Sequence, residues 1–200
     1  MSSPTRWAGV PLTDRRIERR ALLINAAFAL FGEGGEVAVS VRSVCRESAL
    51  NTRYFYESFG DTDELLGAVY DEVADEMNAG VQAAIDAVGG TDVDRMRAGV
   101  RAVLGFSSAD PRRGRVLFTE ARANPVLTAR RQIAQETLQQ MVRSQREHAH
   151  PGDDSTATLV AAAMFTGAMA ELAQQWLSGA LGADLDAVVD HAVRFVLLTS

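Results

Sequence analysis

Long segments of helical spacing, broken at glycine, proline and serine pairs, constrain this chain most. Nothing in it alternates as a strand does, no internal repeat recurs, and no low-complexity tract interrupts the pattern. The breaks fall at Gly32, Gly34 and Gly35, at Gly89-Gly90, Ser107-Ser108, Asn124-Pro125 and Pro151-Gly152, and from Gly179 to Gly182. Between them the spacing predicts a helix over about 14–31, two short helices opening at Ser40 and Asn51, and six longer ones. Those six run over about 62–88, 93–106, 111–123, 125–148, 155–178 and 185–198. The expected fold is all-α, with about nine helices. At 47% apolar and 23% charged the chain has the composition to bury a core rather than stay disordered.

The two short helices are the most informative. Ser40 can cap the first of them, with Val39 before the cap and Val44 after it placed as a hydrophobic staple. Val41, Val44, Cys45 and Ser48 line its inner face, and Arg42 and Arg46 point outward. After the turn Ala49-Leu50-Asn51 the pattern recurs, with Asn51 as cap and Phe55 four positions on. Four of the chain's aromatic residues crowd into Tyr54–Phe59. At about 100° per residue, Phe55 and Phe59 share the buried side, Tyr54 and Tyr56 flank it, and Arg53 and Glu57 point directly away. Two helices joined by a three-residue turn, the second presenting Thr52, Arg53, Tyr54 and Tyr56, form a helix-turn-helix pattern over about 40–59.

Charge is distributed accordingly. The net charge is −6, yet residues 1–60 carry eight Arg against six acids, leaving the acidic excess to residues 61–200, so a polyanion would meet the first sixty. Every basic residue is Arg, which reads first as a compositional bias of the source and second as a preference for bidentate contacts.

The segment Ala26–Leu66 resembles the N-terminal domain of the TetR family of transcriptional regulators. The resemblance is carried by Ala26-Ala27, Leu30-Phe31, Gly35, Val41-Arg42, Val44-Cys45, Ala49-Leu50, Phe55-Tyr56, Phe59 and Leu65-Leu66. It implies a three-helix DNA-binding domain over 14–60 and a larger helical effector-binding and dimerisation domain over 61–200. It also implies a homodimer on an operator of two inverted half-sites, usually repressing until a small molecule changes the spacing of its two reading helices. The family positions carried over are Arg42, Asn51, Thr52, Arg53, Tyr54, Tyr56 and Thr62. Arg53 suits bidentate reading of guanine and Thr52 a thymine methyl, while Tyr56, Arg42 and the amides near Asn51 suit phosphates. Thr62, between Asp61 and Asp63, stands where the family commonly has a phosphate-binding lysine. That departure predicts fewer phosphate contacts and a shallow salt dependence unless Arg15, Arg16, Arg19 or Arg20 compensates. Glu57 is a second departure on the exposed side, suited to accept from cytosine N4 or to repel wrong sequences.

Further along, the last two helices are apolar far around their circumference, which calls for two packing faces. Leu159, Ala163, Gly167 and Ala170, with Val188, Val189, Ala192, Val193 and Val196, are assigned to a second copy in an intersubunit four-helix bundle, a central buried helix of a monomer being the alternative. Met77, Met96, Phe106, Phe118, Met141, Met164 and Trp176 are spread over helices that would surround an effector pocket, and each also suits an ordinary core. Arg122, Glu120 and Gln174 are the polar groups argued toward that interior, so an apolar effector of low charge is expected.

Single Cys45 rules out an internal disulfide and reads as a small core filler. His148 and His150 read as solvent-exposed, Arg112, Arg113 and Arg115 as a solvated face, and the tail holding Arg6 and Trp7 as a disordered terminus. No metal, cofactor or catalytic constellation is called for. The longest uncharged apolar run, 157–170, falls short of the roughly 20 residues a membrane span takes, and residues 1–12 lack a signal-peptide core, so a cytoplasmic, non-membrane protein is expected. Besides a DNA-binding regulator, the residues leave open a ligand-binding or scaffold dimer whose DNA affinity is weak or lost.

Overall fold

The computed structural model describes residues 6–7, 10–119, 124–149 and 155–199, with side chains described over 15–119, 124–140, 143–144 and 156–197. Its helices are α1 (Leu12–Gly34), α2 (Val41–Glu47), α3 (Thr52–Tyr56), α4 (Thr62–Asp86), α5 (Asp92–Ala109), α6 (Pro111–Gly114), α7 (Pro125–Ala149), α8 (Ser155–Leu177) and α9 (Leu185–Thr199). The expectation of an all-helical chain holds apart from one detail near the start. The tail expected to be disordered contains a two-residue strand pair, β1 (Arg6–Trp7) and β2 (Val10–Pro11), antiparallel with Trp7 opposite Val10.

Two compact units emerge, Met1–Glu72 and Val73–Ser200. The division lies inside α4, past the boundary at residue 60 that the resemblance implies. Leu65, Leu66 and Val69 in the first turns of α4 are buried and fall with the first unit. The core of that unit comes from Leu23, Ile24, Ala27 and Phe31 of α1, one face repeating every three or four residues, with Val44 and Cys45 of α2 and Phe55 and Phe59. α1 runs on past Gly32 to Gly34 and ends where Gly35 takes φ 70°, a left-handed conformation that glycine reaches without penalty; a 3₁₀ turn, Glu36–Ala38, follows.

In the second unit α9 packs on α5, and α8 on both α5 and α7. Val100, Leu104, Ala173, Val189 and Val193 form the cluster at their centre. Ion pairs Arg97–Asp190 and Arg101–Asp186 tie the outer edges of α5 and α9 together. The helix expected over 111–123 is not uniform. Asp110 caps α6, accepting from the Arg112 amide at 3.0 Å and pairing with its guanidinium at 2.9 Å, and this bond holds the Asp110 carboxyl below its usual range. From Arg115 to Thr119 the backbone widens into a π turn, and the Gln174 side-chain amide donates to the Phe118 carbonyl at 2.7 Å. Residues 120–123, including Glu120 and Arg122, lie outside the described residues.

The apolar run of α8 extends further once its helix is defined. The apolar run judged too short for a membrane sits within α8, and Thr156–Leu177 is long and apolar enough to cross one by length and composition. Its inner side nonetheless packs as protein core: Ala162 and Ala173 are buried, and the buried Thr166 hydroxyl donates to the Ala162 carbonyl at 3.0 Å.

Candidate nucleic-acid interface

The helix-turn-helix forms as its residue types dictate. Ser40 accepts from the Ser43 amide at 3.1 Å while Ser43 Oγ accepts from the Ser40 amide at 2.9 Å, a reciprocal capping box at the start of α2. At the other end, Leu50 N–H donates to the Cys45 carbonyl at 3.0 Å and Ala49 N–H to that of Arg46 at 3.3 Å, the paired bonds of a Schellman turn. Ala49 occupies its left-handed position at φ 54°, where a side chain is strained by about 1 kcal/mol or more. Ala49→Gly is therefore expected to stabilise the first unit by about 0.5–1 kcal/mol despite glycine's greater unfolded freedom. A rise in the urea midpoint checks this, and a fall shows that the turn does not set the strain.

Asn51 then caps α3, accepting from the Tyr54 amide at 3.3 Å. Phe55 and Phe59 are buried with ring centres 6.0 Å apart, and the Tyr56 ring meets Phe55 edge-on at 5.3 Å. The opposite side of α3 is open: Asn51, Thr52, Arg53 and Tyr56 are exposed, as is Arg42 on α2, and the Arg53 side chain is 82% exposed. The aromatic cluster thus divides as its spacing predicts, an anchor beneath and a rim above. Cys45 is buried in the anchor, and burial pushes its thiol pKa up, which suits the filler expected there.

Four placements add partners that spacing alone does not give. Tyr54 is half-buried because the Arg19 guanidinium of α1 lies 4.3 Å over its ring, and Arg20 likewise covers Phe59 at 4.8 Å. Arg16 donates to the Glu57 carbonyl at 2.8 Å. Arg16, Arg19 and Arg20, three of the arginines expected to be available to phosphates, therefore also brace α3 and the residues that follow it. Glu57 is engaged too, with Oε1 accepting from Arg53 Nε at 2.9 Å and Oε2 3.9 Å from Arg19, so a cytosine amino group would share the carboxylate with existing partners. Thr62, half-buried, stands at a helix start already supplied with acceptors: Asp61 Oδ1 accepts from the Glu64 amide at 2.8 Å and Glu64 Oε2 from the Gly60 amide at 2.7 Å. A phosphate there would compete with both carboxylates.

In the second unit, Met96, Phe118 and Trp176 pack together on the central cluster, and Trp176 Nε1 donates to Ser108 Oγ at 2.5 Å. Met77 and Phe106 are half-buried, the latter beneath the Arg113 guanidinium. Met164 does not join them. It is 60% exposed on the outer side of α8, because at helical spacing it follows the stripe of Leu159, Val160, Ala163 and Gly167, which is exposed as well. The Met141 and His148 side chains, and His150, lie outside the described residues. Among the α9 residues assigned to a second copy, Val189 and Val193 are fully buried in this protomer's own core and have no surface to share, while Val188, Ala192 and Val196 are half-buried, as is Ala170 of α8. The apolar surface that α9 leaves open belongs instead to Phe195 and Leu197.

Fold and exposed helix together define a helix-turn-helix protein with an all-helical body. Residues 23–69 match the family model of bacterial regulatory proteins of the tetR family. Among curated relatives, the HTH-type transcriptional repressor Rv3405c of Mycobacterium tuberculosis is 36% identical over 73 residues, 34% of this chain and 39% of the repressor. The HTH-type transcriptional regulator HbdR of an Aromatoleum species is 35% identical over 66 residues, 32% of this chain and 29% of the regulator. The matches thus span about two fifths or less of these relatives' lengths. Over nearly the whole chain the fold is that of the regulator FadR from Bacillus subtilis, solved in complex with stearoyl-CoA, at 14% identity, TM-score 0.74 and 88% and 96% coverage of the two chains. A TetR-like transcriptional regulator from Rhodococcus gives 17% identity, TM-score 0.71 and 90% and 93% coverage.

Proposed function

We propose that this protein is a non-enzymatic, cytoplasmic transcriptional regulator that binds a palindromic operator as a homodimer, represses from it, and is released by an apolar small molecule. The observation that carries this reading is the open side of α3, led by Arg53 and seated on buried Phe55 and Phe59. In the bound state Arg53 reads guanine edges, Thr52 meets thymine methyls, and Arg42, Tyr56 and the Asn51 turn hold phosphates. The outer sides of α8 and α9 pair across the two-fold axis, burying Leu159, Met164 and Phe195. Met96, Phe118 and Trp176, with Met77 and Phe106, supply adaptable surface to the effector. The acyl-CoA in the FadR complex supports an effector with a long apolar part.

A palindromic duplex shifted by the purified protein tests this reading. Arg53→Ala is expected to cost about 1–3 kcal/mol per half-site and to relax preference at one base position. Tyr56→Phe is expected to weaken all sequences alike by about 0.5–1.5 kcal/mol. Variants that bind as the wild type does overturn the contact assignment. A second reading, a ligand-binding dimer with little DNA affinity, is favoured by the carboxylates at the start of α4. It predicts no log-linear loss of affinity with salt.

A further inference from the structure

We infer that Glu57 is the specificity-determining partner of Arg53, a positioning residue that trades general DNA affinity for selective reading; the inference rests on the regulator reading above. The carboxylate is shared between two guanidinium groups. Oε1 accepts from Arg53 Nε at 2.9 Å, and Oε2 lies 3.9 Å from Arg19, which is itself held 4.3 Å over the Tyr54 ring. Glu57 is further fixed by its backbone, whose carbonyl accepts from Arg16 at 2.8 Å. The result is a brace from α1 to the exposed tip of α3: Tyr54 beneath Arg19, Arg19 to Glu57, Glu57 to Arg53.

The chemistry of the arginine fork explains what such a brace does. A guanidinium offers two edges, one through Nε and one through its two terminal nitrogens. With Nε occupied by Glu57, the terminal pair remains as the outward donor edge, and that is the edge geometry that matches O6 and N7 of guanine. Loss of Nε to a fixed acceptor also removes rotamers in which Arg53 would swing to a phosphate. A long side chain that is 82% exposed has many such rotamers, and each of them adds affinity without sequence information. Glu57 further places a negative charge where any duplex would approach, which lowers binding to all sequences. Stability is not what the pair supplies, since an exposed i,i+4 ion pair contributes little.

Charge and reach are separable at this position. Glu57→Gln keeps the length and removes the charge. Glu57→Asp keeps the charge but sets it one methylene closer to the helix, so that a pair with Nε draws the Arg53 fork out of its present position. Neither touches the Arg16 bond to the backbone. The test measures full-length wild type and both variants by fluorescence anisotropy. The probes are a duplex selected by the wild type from a random pool, its single-base variants, and a mixed-sequence duplex. Expected is a loss of about tenfold in discrimination at the base read by Arg53 in both variants. In Glu57→Gln alone, affinity for the mixed-sequence duplex rises about tenfold, with a salt slope steeper by about 0.9 for each arginine that turns to a phosphate. Wild-type discrimination in Glu57→Asp reduces the role of Glu57 to charge and overturns the inference, as does wild-type discrimination in Glu57→Gln. Loss of the folded far-ultraviolet spectrum in either variant makes Glu57 a residue of the fold and overturns it too. A wild type that selects no duplex overturns the regulator reading itself, a failure distinct from the others.

Discussion

Phe55→Ala is expected to destabilise the N-terminal unit by about 3–5 kcal/mol. The ring is fully buried, touches Phe59 and Tyr56, and stands at the junction of the only five residues that make up α3. A helix this short has no stability of its own, since the cost of nucleation is spread over too few hydrogen bonds; its order comes from the two rings that seat it. The loss is a large part of the 5–15 kcal/mol typical of a whole domain. Chemical denaturation followed by tyrosine fluorescence is expected to show the first unit unfolding at markedly lower urea. Hydrogen exchange should show Thr52–Tyr56 losing protection first. A cost below about 1 kcal/mol, with α3 still protected, contradicts the account of how the reading helix is held.

The second large effect concerns the outer side of the body. Phe195 is 60% exposed and Met164 equally so, on helices whose inner sides are already filled. Clusters of exposed large apolar side chains mark interaction sites, and in a two-fold pairing one substitution acts twice. Phe195→Asp removes about 1.5–3 kcal/mol of apolar burial per copy, so self-association is expected to weaken by roughly 100-fold or more. Each protomer should stay folded, because Val189 and Val193, and not Phe195, face the core. Sedimentation velocity is expected to show a dimer for the wild type and a monomer for the variant. DNA affinity should fall with it, since the second half-site is then no longer presented at high effective concentration. A variant that remains dimeric moves the interface elsewhere.

What could be read from the sequence depended on how local the cause was. Ser40 and Asn51 as caps, and Phe55 with Phe59 as anchor, follow from spacing within a dozen residues, and the structure places each as expected. On α9 the periodic signal is ambiguous: apolar residues on most of the circumference do not say which stripe meets the protomer's own core, and the structure buries Val189 and Val193 there. Met164 carried the same ambiguity. The Glu57–Arg53 pair was visible as an i,i+4 spacing, whereas Arg19 joins it from more than thirty residues away and leaves no trace in the local pattern. The π turn at Arg115–Thr119 likewise has no residue signature, since its widening depends on what packs across it.

The proposal is that two copies of α3 read one duplex. It is tested most directly by selecting a random duplex pool with the purified full-length protein, sequencing what is retained, and titrating the best duplex against salt. The prediction is an inverted repeat with half-site centres about 34–36 Å apart or a multiple of that, two protomers bound per duplex, and affinity falling log-linearly with salt. A retained pool with no shared motif, or a single half-site bound by one protomer, contradicts it.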